Sequence, residues 1–409
     1  MPDIKTSVCI AGGGPAGMML GYLLARAGVP VIVLEKYADF FRDFRGDTIH
    51  PSTLELMHEL GLGEAFLKLP HQRVDELQAV FSGKTYTLAD FRHLPVRYPF
   101  IAFVPQWDFL TFLSAEARKL PNFRLLMQTE ALDLIVDSGD VRGALAKGPG
   151  GPFRITANLI VGADGRHSTV REKSGLRIET LGSPIDALWF RVSRLAGDPA
   201  DPAGRFEAGR IFVMLNRGDY WQCAYVIPKG SFETIKSDGV AVFQQALRRA
   251  APFLEERVAE ITNFAQLSLL TVLVDRALSW HRPGLLLIGD AAHAMSPVGG
   301  VGVNLAVQDA VAAANALWRT LREGRPSEAD LAKVQARRQT ATRRTQALQV
   351  MIQNRVIAPA LASTAGTEIA PPWPIRLFNA VPVLRRIPAR LIGLGMQPEH
   401  ISSPELPPA

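Results

Sequence analysis

Six residues near the start of the chain, Gly12-Gly13-Gly14-Pro15-Ala16-Gly17, restrict its fold more than any other stretch. They follow a short apolar run, Ser7-Val8-Cys9-Ile10-Ala11, that reads as a buried parallel strand. Met18 to Ala27 reads as a helix, stopped by Gly28 and Pro30. Val31-Ile32-Val33-Leu34 is a second apolar strand, ending at Glu35. This is a βαβ unit of about 30 residues, with Gly12, Gly14 and Gly17 in the spacing GxGxxG. Gly12 permits the tight turn, Gly14 lets a pyrophosphate reach the backbone, and Gly17 allows close helix packing. The helix N-terminus, with Ala16 in its first turn, stabilises the phosphates. Glu35, followed by Lys36, ends the second strand where a carboxylate bonds a ribose 2′-hydroxyl. A 2′-phosphate would be repelled there, so FAD or NAD fits this site better than NADP.

Composition limits the rest. A chain of 409 residues implies two or three domains. With 47% hydrophobic and 21% charged residues it is a globular sequence, not a disordered, collagenous or coiled-coil one. The net charge of +6 comes from scattered Lys and Arg, so nucleic-acid binding is not expected. Cys9 and Cys223 are the two cysteines, with no CxxC and no Cys/His cluster. Neither a disulfide framework nor a metal site is expected, and a reducing cytoplasm is. The first residues lack the pattern of a signal peptide, and no run reaches the ~18 apolar residues of a membrane span.

Further along, α/β pieces alternate with β-rich ones. Helices are predicted from Ser52 to Leu60, Gln106 to Leu120, Val303 to Arg322 and Ser327 to Asn354. Alternating runs such as Ala79-Val80-Phe81 and Thr85-Tyr86-Thr87 predict antiparallel strands. So do the aromatic-rich residues 180–275. Leu159-Ile160-Val161 and Leu285-Leu286-Leu287-Ile288 are two more buried strands. The expected fold is α/β. A Rossmann-like dinucleotide domain is built from residues 1–73, 100–178 and 276–345. An interleaved, mostly antiparallel β-sheet substrate domain takes 74–99 and 179–275, and 346–409 forms a C-terminal helical tail.

Two further motifs stand at strand ends. Ala163-Asp164-Gly165-Arg166-His167-Ser168-Thr169-Val170-Arg171 reads ADGxxSxxR, a tight turn and a polar helix start. Gly289-Asp290 follows the Leu285–Ile288 strand and runs into Pro297-Val298-Gly299-Gly300-Val301-Gly302-Val303-Asn304, a PxxGxGxN loop. In this order the three motifs resemble the FAD-dependent aromatic hydroxylases, the single-component flavoprotein monooxygenases with the fold of p-hydroxybenzoate hydroxylase. The resemblance spans roughly residues 5–350. It implies that Asp164, Gly165 and Arg171 contact FAD and that Asp290, beside Gly289, bonds its ribityl or ribose hydroxyls. It implies too that the backbone of Pro297, Gly300, Gly302, Val303 and Asn304 lies against the flavin ring, where amides stabilise reduced flavin. Arg45 and Gln106 fall where relatives place residues near FAD, and His293 is read as structural.

The resemblance implies a complete cycle. NADH or NADPH reduces FAD transiently, with no second dinucleotide domain. Reduced flavin and O2 give a C4a-hydroperoxide, which hydroxylates an aromatic or phenolic small molecule. No catalytic base is assigned. Trp189, Phe190, Tyr220, Trp221 and Tyr225 are the candidate pocket-lining residues. A monomer or homodimer is expected, without an integral membrane segment. Three other readings stay open. One is a flavin-dependent halogenase, although Cys223 and Tyr225 stand where a WxWxIP motif needs tryptophans. The second is a ubiquinone-pathway hydroxylase whose tail, Ile375 to Met396, lies on lipid. The third is a flavin-binding regulatory or assembly protein without turnover.

Overall fold

The computed structural model describes residues 2–41, 48–199, 203–364 and 366–407. Arg45 lies outside the described residues. Strand β1 (Asp3–Ala11) passes through the glycine turn into helix α1 (Pro15–Arg26) and returns as β2 (Val31–Leu34). Helix α2 (Pro51–Glu59) and helix α3 (Gln106–Ala117) follow. Next come β3 (Gly151–Gly162), β4 (Ile185–Ser193), β5 (Arg210–Asn216) and β6 (Tyr220–Pro228). Helix α4 (Val240–Ala250), strand β7 (Leu285–Leu287) and helices α5 (Gly302–Glu323), α6 (Glu328–Ile352), α7 (Trp373–Ala380) and α8 (Arg386–Gly393) complete the main elements.

The first sheet has eight strands, with β7, β3, β1, β2 and Phe123–Leu126 side by side and parallel. Burial explains the apolar runs: Val8 to Ala11 and all of β2 are inaccessible, so both faces need apolar side chains. Helix α1 is buried at every position from Ala16 to Ala25, packed between this sheet and α5. An antiparallel hairpin, closed where Gly148 faces Gly151, extends one end of β3. The carboxyl ends of β1, β3 and β7 lie next to one another, so the turns after Ala11, Gly162 and Leu287 share one rim.

The second sheet has seven strands drawn from two stretches of sequence, residues 76–90 and 185–270. Its pairings are antiparallel except where Ala203–Glu207 runs parallel to Glu76–Phe81. One face carries Leu188, Phe190, Phe212 and Tyr225 and packs on Phe243 and Leu247 of α4. On the opposite face, Ile185, Ile211 and Val226 join a cluster with Val298, and Leu215 packs near Phe103. That face therefore looks onto the first sheet's glycine turns.

The end of the chain departs from the expected helical tail. Helices α7 and α8 lie on Lys84–Asp90, the edge strand of the second sheet, and screen its unpaired backbone. After Leu394 there is neither helix nor strand among the described residues. This last segment runs back to the first sheet's helices, where Leu406 N donates to Arg26 O (2.9 Å) and Arg322 donates to Pro407 O (2.8 Å).

Candidate dinucleotide and substrate site

The three turns on the shared rim form one cradle. Gly12 has φ +105°, and a Cβ there would lie 2.3 Å from Ala163 O, so the first two turns touch through backbone. Gly14 faces open space, with nothing within 4 Å of a built Cβ. That opening lies beside the N-terminus of α1, where free amides and the helix dipole favour an anion. Glu35 is buried at the strand end, its carboxylate accepting from Gly13 N (3.1 Å) and Tyr37 N (3.1 Å). Lys36 points out to solvent, over the Tyr37 ring. Gly165 has φ +86° and open space over it, as a turn receiving a ligand would need.

Other predicted contacts are internal. The Asp164 carboxylate accepts from Ser168 Oγ and Val170 N, and burial holds its acid above the usual range. Arg171 turns away from the cradle to bond Asp275 (3.0 Å) and Arg166 O (2.7 Å). Arg166, not Arg171, faces the third turn, 3.7 Å from the half-buried Asp290. Gln106 stands at the first position of α3, directly after the strand Ile101–Phe103 that pairs with Thr48–Ile49.

The Pro297–Asn304 loop is laced to Thr48–Pro51. Gly299 and Gly300 take φ +81° and +63°, and a Cβ on Gly300 would lie 2.7 Å from Thr48 Oγ1. Thr48 Oγ1 donates to Gly300 O (3.0 Å). The Asn304 amide accepts from His50 N (2.9 Å) and Thr53 Oγ1 (2.6 Å) and donates to Thr48 O (3.3 Å). Asn304 thus acts through its side chain as a clip. Gly302 begins α5, with Val303 half-buried next to it.

His50 is fully buried, its Nδ1 2.8 Å from Ile392 O of α8, so that nitrogen carries the proton. Nε2 has no partner among the described residues and would lie 3.5 Å from a Cβ on Gly300. Burial pushes the imidazole down to about 4, outweighing the carbonyl's pull. An unfolded chain protonates its histidines near pH 6.5. The folded state therefore loses stability as pH falls from about 6.5 to 4, by up to about 3 kcal/mol, and none above that window. His50→Asn keeps a donor for Ile392 O and removes the titration. Thermal unfolding across pH is expected to show a correspondingly shallower acid slope in the variant.

Behind the third turn lies a buried charged network. Asp309 on α5 accepts from His293 Nε2 (2.6 Å), Gly289 N (3.1 Å) and Arg338 Nε (3.0 Å). Arg338 on α6 also reaches Glu399 (3.1 Å) and Gln397 O (2.8 Å). Burial alone would raise the Asp309 acid, but His293 and Arg338 together hold it below the usual carboxylate range. Gly289 itself is wedged between Ala16 and Ala306. The network anchors the Gly289–Asp290 turn against α5, and His293 serves as one of its supports.

The five aromatic candidates divide by strand alternation. Phe190, Trp221 and Tyr225 lie on the face packed under α4, where Tyr225 also lines a pocket with Pro228, Ile235 and Phe243. Phe190 and Tyr225 pack edge-on against Phe243 (5.8 and 5.5 Å between ring centres). Trp221 packs on Phe253 and donates Nε1 to Asp198 (2.8 Å). Trp189 and Tyr220 point to the opposite face, where Trp189 is paired with Ala224 and Arg191 with Gln222. Gln222 accepts from Arg217 (3.2 Å), whose guanidinium lies over Phe103. Trp189, Val213, Gln222 and Ala224 share that face, between the sheet's packing near Val298 and its packing near Phe103.

Comparison with known proteins decides the family. Residues 5–347 match the family model described as "FAD binding domain". The chain is 34% identical over 405 residues to 6-methylpretetramide 4-monooxygenase of Streptomyces rimosus, covering 97% of this chain and 94% of that protein. The chain belongs to the FAD-dependent aromatic hydroxylases. Its structure superposes on OxyS anhydrotetracycline hydroxylase from Streptomyces rimosus with TM-score 0.74 and 25% identity, covering 95% of this chain and 76% of that one. The myxobacterial chondrochloren halogenase CndH shares the fold at TM-score 0.74 and 18% identity, covering 97% of this chain and 94% of that one.

As a flavin hydroxylase the chain holds its cradle with residues that sequence reading passed over. His50, Thr48, Arg166, Asp309 and Arg338 all act on a predicted turn from a distance in sequence. The one legible signal was Gln308-Asp309, two polar residues inside the alanine-rich run Leu305–Ala314. Arg338 looks like any other arginine of a basic helix.

Proposed function

We propose that this hydroxylase takes electrons from NADH or NADPH and uses O2 to hydroxylate an aromatic or phenolic small molecule. One oxygen atom enters the substrate and the other leaves as water, while the dinucleotide gives up a hydride. When bound, FAD supplies the electron relay and the oxygen activation. The protein supplies position. The opening at Gly14 and the α1 N-terminus take the pyrophosphate, and Glu35 takes a ribose hydroxyl. Gly165 and Asp290, the latter steadied by Arg166, hold the chain of the cofactor. The amides of Gly302 and Val303, at the start of α5, would face the ring.

The observation that carries the reading is the sheet face bearing Trp189 and Gln222, turned toward Val298 of the glycine loop and toward Phe103. An aromatic ring bound against that face would meet apolar side chains and one amide, which would help keep solvent from the reacting centre. The 6-methylpretetramide named in its relative is the first substrate to assay. The purified, flavin-loaded chain is expected to oxidise NADH or NADPH faster with substrate and to put label from O2 into the product. A flavin-loaded chain that gives neither response to any phenol refutes turnover.

Two neighbouring aromatics provide a sharper test. Trp189→Ala is expected to raise KM about tenfold with flavin content unchanged, the order expected for one ring contact. Phe190→Ala, on the other face, is expected to cost about 3–5 kcal/mol of stability. Equal effects of both on stability, with none on KM, would remove the pocket from this face.

A further inference from the structure

The outer surface of α7 and α8 is unlike the rest of the molecule. Among the described residues, fifteen large apolar side chains are exposed, and six fall between Trp373 and Leu391: Trp373, Leu377, Val381, Val383, Ile387 and Leu391. Trp373 is 70% exposed. The same stretch carries Arg376, Arg385, Arg386 and Arg390, and no acidic residue stands between Glu368 and Glu399. None of the four arginines makes an ion pair among the described residues. Arg385 instead donates to Phe378 O (3.0 Å) and Asn379 O (3.2 Å). On α8, Ile387 and Leu391 form one stripe, and Arg386 and Arg390 form the next. The other side of α8 is fixed to the protein through Ala389, Gly393 and Leu394, so the exposed stripe is a rigid outer face.

We propose that this face docks on an anionic lipid bilayer, lying along its surface. Apolar side chains with a tryptophan enter the headgroup boundary while flanking arginines meet lipid phosphates. No helix among the described residues is long and apolar enough to cross a membrane, so contact is superficial. A second copy of the chain fits less well. A two-fold dimer sets the same patch against itself, opposing arginines to arginines with no carboxylate between them. The surface lies one bond from the cradle, since Ile392 O holds His50. The inference does not depend on which substrate is hydroxylated.

Sedimentation of the full flavin-loaded chain with vesicles tests it. Vesicles of phosphatidylcholine with phosphatidylglycerol are expected to carry the protein down. Phosphatidylcholine alone, or high salt, should lower the partition by about tenfold or more. Arg376→Glu with Arg386→Glu and Arg390→Glu should do the same, with flavin content and melting temperature unchanged. Trp373→Ser with Ile387→Ser provides an apolar counterpart. Should that pair fold poorly, the charge variants alone decide. No sedimentation with anionic vesicles, or equal binding to neutral ones, overturns the proposal. So does a wild-type dimer that the apolar variant turns into a monomer, which would assign the face to a second copy.

Discussion

Gly14→Val is expected to yield a folded protein that purifies without colour. Gly14 has φ −73° and ψ −176°, a backbone open to any residue, and a side chain there meets nothing within 4 Å. The empty chain therefore has no reason to lose stability. The same volume is where a pyrophosphate must come against the backbone, so FAD affinity should fall about a hundredfold or more, near 3 kcal/mol. Gly17→Ala makes the contrast. Its Cβ would lie 2.0 Å from Gly12 O, a backbone atom that cannot swing aside. That variant should lose stability whether or not flavin is present, by ~3 kcal/mol or more. Flavin-to-protein ratios and melting of the flavin-free forms separate the two cases. Full flavin content in the Gly14 variant would mean that the pyrophosphate sits elsewhere.

Arg338→Met is the second large effect, about 3–5 kcal/mol of destabilisation by denaturant unfolding. The guanidinium is fully buried between Asp309 and Glu399, so its removal leaves two buried carboxylates facing each other's field. Arg337→Met is the control. Arg337 bonds the same Glu399 at 2.9 Å from a half-exposed position and should cost under about 1 kcal/mol. The pH dependence follows from the sign of the shift. Asp309 is held below the usual carboxylate range, so wild-type stability from this group is present above that range and lost as pH falls through it. In the variant the carboxylates are easier to protonate, and the gap to wild type should narrow on acidification. A gap constant with pH would mean that Arg338 contributes packing and not charge.

The elements legible in the sequence are those with local causes. Gly12 announces its turn through its positive φ, and Gly17 because a side chain there strikes the nearby backbone of Gly12. The apolar runs of β1 and β2 are continuous because both faces of that sheet are covered. The second sheet shows why other parts stayed hidden. Alternation in β4 and β6 separates two sets of residues, but both faces are covered, one by α4 and one by the glycine turns. Nothing local tells Trp189 from Phe190. The network behind the third turn was hidden for another reason: Asp309 finds Arg338 only after α5 and α6 have packed.

The order in which the protein is made gives residues 392–403 a role. The turn at Gly12 to Gly17 is synthesised early, yet the segments that follow it take bonds from residues far along the chain. His50 waits for Ile392, Glu59 for Ile401 and Arg26 for Ser403, separations of 342, 342 and 377 residues. Chains fold from the N-terminus as they emerge, so His50 and the outer ends of α1 and α2 stay loosely held on the ribosome until residues 392–403 have emerged.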